Sequence, residues 1–184
     1  MEDSEFWSII EECKKKDYLG DEQSHYKDAQ DRLEKLSDLE LKEFAAKLLF
    51  FENKACHWDV WASAYIINGG CSDDMFMDFR RGLIFQGKKI FEATLADVDS
   101  LSELNPEIAE SLCEYELFSY LPLKIYESRS GNNPEEFECY LDDYQDNANF
   151  EYSDSDPAGE AWGDDSELVE RFPKLANKYQ FSDS

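Results

Sequence analysis

Long apolar runs are missing from this chain of 184 residues: none approaches the roughly 20 residues that a membrane-spanning helix needs. The opening stretch MEDSEFWSII also lacks the basic start and apolar core of a secretion signal, so the sequence reads as cytoplasmic. Positive charge is scarce, with 18 Lys and Arg against 43 Asp and Glu and a formal net charge of −25. Such a chain repels phosphate backbones and anionic lipid heads, which argues against direct nucleic-acid or membrane binding, while a basic protein partner would be steered in. The five cysteines, at 13, 56, 71, 113 and 139, are odd in number and include no C-x-x-C pair, so neither a disulfide framework nor a zinc ribbon is indicated. Period-two alternation is almost absent, which removes the sheet folds.

Aromatic side chains are plentiful: 13 Phe, 10 Tyr and 4 Trp rule out a disordered acidic protein and leave enough apolar surface for a core. Their spacing is helical. Phe6, Ile9, Ile10 and Cys13 form one stripe behind Asp3 or Ser4 as cap, with Lys14, Lys15 and Lys16 at the favourable end of the dipole and Gly20 as a break. A polar helix from about Glu22 to Leu36 turns Tyr26, Ala29, Leu33 and Leu36 inward. Ser37-Asp38-Leu39-Glu40 is a capping box opening a helix with Leu41, Phe44, Leu48 and Phe51 along one face. CHWDVWASAYIINGG continues as helix to Gly69 or Gly70, and Ser72 caps the next one, from Asp73 to about Gln86, with Phe76, Phe79, Leu83 and Ile84 inside. KKIFEATLAD is a further short helix. Asn105-Pro106 starts a long one toward Arg129 that Pro122 kinks or splits. The expected architecture is an all-α single-domain bundle of about six to eight helices.

From Ser130 to Glu170 there are 14 acidic residues and not one Lys or Arg, so more than half of the net charge sits in this segment. It keeps Phe137, Tyr140, Leu141, Tyr144, Phe150, Tyr152 and Trp162, which predicts an excursion partly docked on the rest. The chain thus divides into a helical core over 1–129, an acidic aromatic excursion over 130–166, and a C-terminal helix or turn over 167–184 that docks through Leu168, Val169, Phe172 and Leu175.

The central pattern W-D-V-W-x-x-A-Y-I-I-x-G-G-C-S-D-D-x-F-x-x-F-R-x-x-L-I-x-x-G, Trp58 to Gly87, resembles the bacterial family catalogued as domain of unknown function 4240. EFWSII, ADVDSL at 96–101 and the late RFPKL are similar to other landmarks of that family, although Val98 replaces an expected proline and the acidic stretch from 135 to 165 is longer than usual. The resemblance implies an all-α fold in a bacterial cytoplasm and no established activity; small acidic proteins of this kind are suspected of being immunity proteins against toxins exchanged between bacteria.

Two candidate sites follow. One lies on the motif residues Trp58, Asp59, Trp61, Tyr65, Gly69, Gly70, Cys71, Ser72, Asp73, Asp74 and Arg80. Cys71 stands between a helix end and a helix start, where an N-terminal dipole favours a thiolate, but Asp73 and Asp74 oppose that effect and neither His25 nor His57 has a dyad relation to it. A packed junction cysteine is the better account, and no catalytic residue is assigned. Arg80 is expected to pair with a buried carboxylate, Asp59 or Asp74 being its natural partners, and the Trp58, Trp61 and Tyr65 stripe is expected in the core. For metals the pattern is poor: there is no pair of E-x-x-H segments and no H-E-x-x-H. DSDPAGEAWGDD places Asp154, Asp156 and Gly159 like a calcium loop but puts Ala158 and Asp165 where further oxygen ligands and a glutamate belong. No metal or cofactor is therefore expected.

The other candidate is the acidic excursion. Glu135, Glu136, Glu138, Tyr140, Asp142, Asp143, Tyr144 and Asp146, with Trp162 as a further anchor, interleave charge with aromatic surface in the way that suits a basic protein partner such as a cognate toxin domain. The favoured expectation is an immunity protein, directed at a nuclease or another basic effector domain, acting through this surface. The alternative is an enzyme or small-ligand protein using Asp59, Cys71, Asp73, Asp74 and Arg80; an acidic nucleic-acid mimic ranks third.

Overall fold

The spacing of apolar residues at three and four positions recurs along nearly the whole chain, and the backbone follows it. A computed structural model describes residues 1–15, 18, 21–148 and 157–182. Lys16, Gly20, Phe150, Tyr152, Asp154 and Asp156, named above, lie outside the described residues. Among the described residues there are eleven α-helices and two short 3-10 helices, more than the six to eight expected: α1 Asp3–Cys13, α2 Glu22–Leu33, α3 Asp38–Lys54, α4 Trp58–Asn68, α5 Asp73–Phe85, α6 Lys88–Ala96, α7 Pro106–Ser111, α8 Glu116–Ser128, α9 Pro134–Ala148, α10 Asp165–Arg171 and α11 Pro173–Tyr179. The 3-10 helices are Val98–Glu103 and Leu112–Glu114. No strand occurs among the described residues; an isolated parallel bridge joins His57 to Ala158.

The protein is an all-α single domain built on one apolar core. Phe6, Ile9, Ile10 and Cys13 of α1 are buried, and Phe6 stacks on Phe51 with ring centroids 5.0 Å apart while touching Phe44. Phe79, Leu83 and Phe85 of α5 fill the centre, where Phe85 meets Tyr115 and Phe118. Late in the chain Leu168, Phe172 and Leu175 join the same core.

Chain chemistry sets most boundaries. Ser37 and Glu40 form the reciprocal capping box, Asn105 caps α7 with Pro106 at its first position, and Ser72 Oγ accepts from Met75 N at 3.2 Å to start α5. Four expectations are corrected. The cap of α1 is Glu2, without a side-chain hydrogen bond; Asp3 is already helical and pairs with Lys47 at 2.6 Å. The α2 helix ends at Leu33, although Leu36 is still buried. The helix from 38 does not run through CHWDVW: it stops at Lys54, and α4 restarts at Trp58 because His57 Nδ1 accepts from Asp59 N and the backbone of Cys56 and Trp58 pairs with Ala158. The long helix from Asn105 breaks at Leu112–Glu114 rather than at Pro122, which α8 accommodates in its interior. There α5 passes so near that a Cβ on Gly82 would lie 2.9 Å from Leu112 Cα, a close approach that requires glycine at 82.

Candidate functional site

The motif segment is a helix–turn–helix whose joint is accounted for residue by residue. Gly69 ends α4 in the left-handed conformation, φ 65°, which only glycine adopts without cost. Trp61 Nε1 donates to Cys71 O at 3.0 Å, clamping the turn, and Ser72 caps α5 while Asp73 and Asp74 stay exposed in its first turn. Cys71 and Cys113 interact directly through their thiols, and Asn68 Nδ2 donates to Cys113 Sγ at 3.4 Å. Cys113's hydrogen bond holds the Cys71 thiol below its usual value, and that same contact, with burial, raises Cys113. Neither histidine serves Cys71: His25 is buried against Tyr115, and His57 stands beside Asp59.

The motif residues do not converge on one pocket. Arg80 takes neither Asp59 nor Asp74; it donates to the carbonyl oxygen of Glu52 at 3.1 Å and lies over the Phe76 ring. The buried carboxylate goes to its neighbour, since Arg81 Nε meets Glu52 at 2.9 Å and Arg81 Nη1 meets Asp78 at 2.7 Å. Asp59 is instead ion-paired with Arg171, which also donates to Glu160 O. The aromatic stripe is half-buried rather than core: Trp58 stacks on Trp61, Trp61 on Phe76, and Trp162 covers Trp58 and Tyr65. Trp162 therefore belongs with α4, whereas the acidic helix α9 packs on α3 and α8.

Residues 157–171 form a strap over the start of α4. Trp58 N donates to Ala158 O at 2.9 Å, Ala158 N to Cys56 O at 3.0 Å, and Gly159 lies so close to the imidazole that a Cβ there would sit 2.6 Å from His57 Nε2. Beside it is a cleft of ≈ 320 Å³ lined by Lys54, His57, Asp59, Leu95, Asp97 and Phe172, among others. Lys54 and the Arg171 partnership were not foreseen; no spacing in the sequence joins residue 59 to residue 171.

On α9, Phe137 is buried against Tyr126, with Leu141, Tyr140 and Tyr144 half-buried beside it. Glu135, Glu136, Glu138, Asp142, Asp143 and Asp146 are exposed, and among the described residues none of them forms a salt bridge. Glu136 accepts a hydrogen bond from Tyr126 Oη at 3.3 Å. Burial raises the Tyr140 phenol above its ordinary value, helped by Glu43 and Tyr144.

Among the described residues no group of three or more His, Cys, Asp or Glu could hold a metal ion, and no helix is long and apolar enough to cross a membrane. No curated protein and no solved structure matches the chain. A family model described as "Protein of unknown function (DUF4240)" matches residues 1–128, a span that contains α1 to α8 with the whole Trp58–Gly87 pattern. By that match the chain belongs to the DUF4240 family.

Proposed function

We propose that this is a protein-binding protein whose contact surface is the outer face of α9, and that its partner presents a basic surface, as a cognate toxin domain blocked by an immunity protein would. The observation that carries this is a helix fixed by Phe137 and Leu141 while six carboxylates at 135, 136, 138, 142, 143 and 146 are exposed with no salt bridge to a cation among the described residues. Fields of that sign speed encounter with a basic protein and reject anionic competitors, while half-buried Tyr140 and Tyr144 supply apolar area at the edge of the charged face. The cytoplasm is the natural place for such a protein.

Coexpression tests it. If the neighbouring reading frame encodes a toxin domain, the chain rescues growth, the complex weakens steeply with added salt, and Asp142→Asn, Asp143→Asn and Asp146→Asn together abolish rescue. A complex indifferent to salt and to this triple change refutes the reading.

A second reading is favoured by the cleft beside Asp59, where Lys54 and His57 face apolar walls from Leu95 and Phe172. It places a small-ligand or enzymatic site there rather than on Cys71, Asp73, Asp74 and Arg80. A ligand whose stabilising effect on melting disappears in His57→Ala would establish it.

A further inference from the structure

A second, larger groove lies between α5 and α8, away from α9. Its α5 wall is Asp74, Met77, Asp78 and Arg81, residues spaced to share one helical face; its α8 wall is Glu116, Ser119 and Tyr120, and the open volume is ≈ 490 Å³. Size alone puts it in the range of built binding clefts. All of it falls within the family-matched residues 1–128.

Two properties of the groove point to the same occupant. The first is protruding apolar surface. Only Leu39, Leu117 and Tyr120 stand out as exposed large hydrophobics among the described residues, and two of these are neighbours at i, i+3 on α8, 52% and 57% exposed; Tyr120 lines the groove and Leu117 follows the lining residue Glu116 in the chain. Met77 is half-buried on the facing helix. Single exposed apolar residues are ordinary, but a pair beside a cleft is the form an interaction anchor takes.

The second property is uncompensated negative charge. The groove's cation, Arg81, is already held by Glu52 and Asp78. Asp74 and Glu116 are exposed and form no salt bridge among the described residues, and Asp73 and Glu114 flank them. Burial first, then the nearby Glu116 and Glu52 charges, raise the Asp78 carboxyl despite its bond to Arg81, so the groove disfavours further anions. A phosphate-bearing ligand does not fit this field. A second copy of so acidic a chain fits it poorly.

We propose that the α5–α8 groove docks a cationic amphipathic segment of another protein, with Lys or Arg meeting Asp74 and Glu116, an apolar side chain seated against Met77 and Tyr120, and Leu117 extending the apolar contact along α8. This surface is lined by α5 and α8 alone, whereas α9 meets α8 through Phe137 and Glu136 at Tyr126. It stands or falls independently of the α9 reading.

The probe is a short fluorescent helical peptide of leucine and lysine, compared with a peptide of equal charge in which serine replaces leucine. Anisotropy titrations are run on the full chain and on three variants: Leu117→Ser with Tyr120→Ser, Asp74→Asn with Glu116→Gln, and Asp142→Asn with Asp143→Asn and Asp146→Asn. All these side chains are exposed, so circular dichroism and melting should be unchanged. The expected result is binding of the leucine peptide that weakens about tenfold or more in each groove variant and changes far less in the α9 variant. Equal binding of the serine peptide, equal loss in all three variants, or no binding of either peptide overturns the proposal. So does light scattering that shows self-association removed by the Leu117 and Tyr120 changes, because the groove's occupant would then be a second copy.

Discussion

His25 makes a quantitative test of how the core handles a polar group. Its side chain is 0% exposed, stacked on Tyr18, with Nδ1 2.8 Å from Tyr115 Oη. Gln86 Nε2 donates to that same phenol at 3.0 Å, so the phenol proton points to Nδ1 and the imidazole hydrogen sits on Nε2, which is buried without a partner among the described residues. A proton added at Nδ1 would face a donor. Burial first, and the charge of Lys14 second, push the His25 pKa down from 6.5 to about 3, with Asp28 opposing. The folded value lies below the unfolded one, so the neutral ring contributes its full stability above pH 6.5 and loses it as the pH falls toward 3. Between pH 7 and pH 5 the loss is about 2 kcal/mol, since the slope approaches about 1.4 kcal/mol per unit once the unfolded chain is protonated. Many carboxylates titrate in the same range, so the measurement is a difference. Urea unfolding of the native chain and of His25→Asn, which keeps an acceptor near the Nδ1 position, is followed by tryptophan fluorescence at several pH values. The variant is less stable at pH 7 because it leaves a void, yet its stability falls by about 2 kcal/mol less on acidification. Parallel curves would refute the assignment of a neutral, Nε2-protonated His25.

Three further outcomes follow from the same packing. Arg81→Met takes the guanidinium away from the buried Glu52 carboxylate and should cost about 3–5 kcal/mol in urea unfolding, whereas a loss under about 1 kcal/mol would mean the pair is not desolvated. Gly82→Ala improves helix propensity by up to about 1 kcal/mol but drives its methyl into the Leu112 backbone, so net destabilisation of about 1–3 kcal/mol is expected and any gain in stability would contradict the close approach. Native thiol labelling read by mass spectrometry should modify exposed Cys139 first and Cys13 only on unfolding, because burial both hides Cys13 and pushes its pKa up to about 12; early loss of Cys13 would contradict the α1 packing.

What could be read from the sequence was local. Helical stripes such as Phe6, Ile9, Ile10 and Cys13, the Ser37 capping box, and the Asn105-Pro106 start depend on residues within a turn or two of each other, and all of them formed. Several of the errors share one cause, which is a partner distant in the chain. Trp58 restarts a helix because Ala158 takes its N–H, a contact one hundred positions away. The 105–129 helix breaks where Gly82 presses on Leu112, a choice that no periodicity within 105–129 records. Arg80 and Arg81 are indistinguishable by type, and only the 100° step between them decides that Arg81 reaches Glu52 while Arg80 reaches a backbone carbonyl. The Trp58, Trp61 and Tyr65 stripe has core spacing, yet Trp162 and Phe181 from the far end of the chain pack on Trp58 and Tyr65, so the stripe lies at a seam rather than in the centre.

That seam gives the segment after residue 128 a structural part to play. The family-matched span ends at α8, but the motif inside it is completed from outside: Arg171 neutralises Asp59, Trp162 covers Trp58 and Tyr65, and Ala158 supplies the backbone bonds that start α4. A core lacking residues 157–181 would uncover Trp58 and Tyr65 and leave a carboxylate beside His57 without its arginine. The strap fixes one side of the acidic excursion, and Phe137 on Tyr126 fixes the other at α9. The carboxylates of α9 are therefore held on a helix anchored to α3 and α8, not carried on a loose tail. Rigid presentation matters for recognition, because charges already in position lose less conformational entropy when a partner arrives.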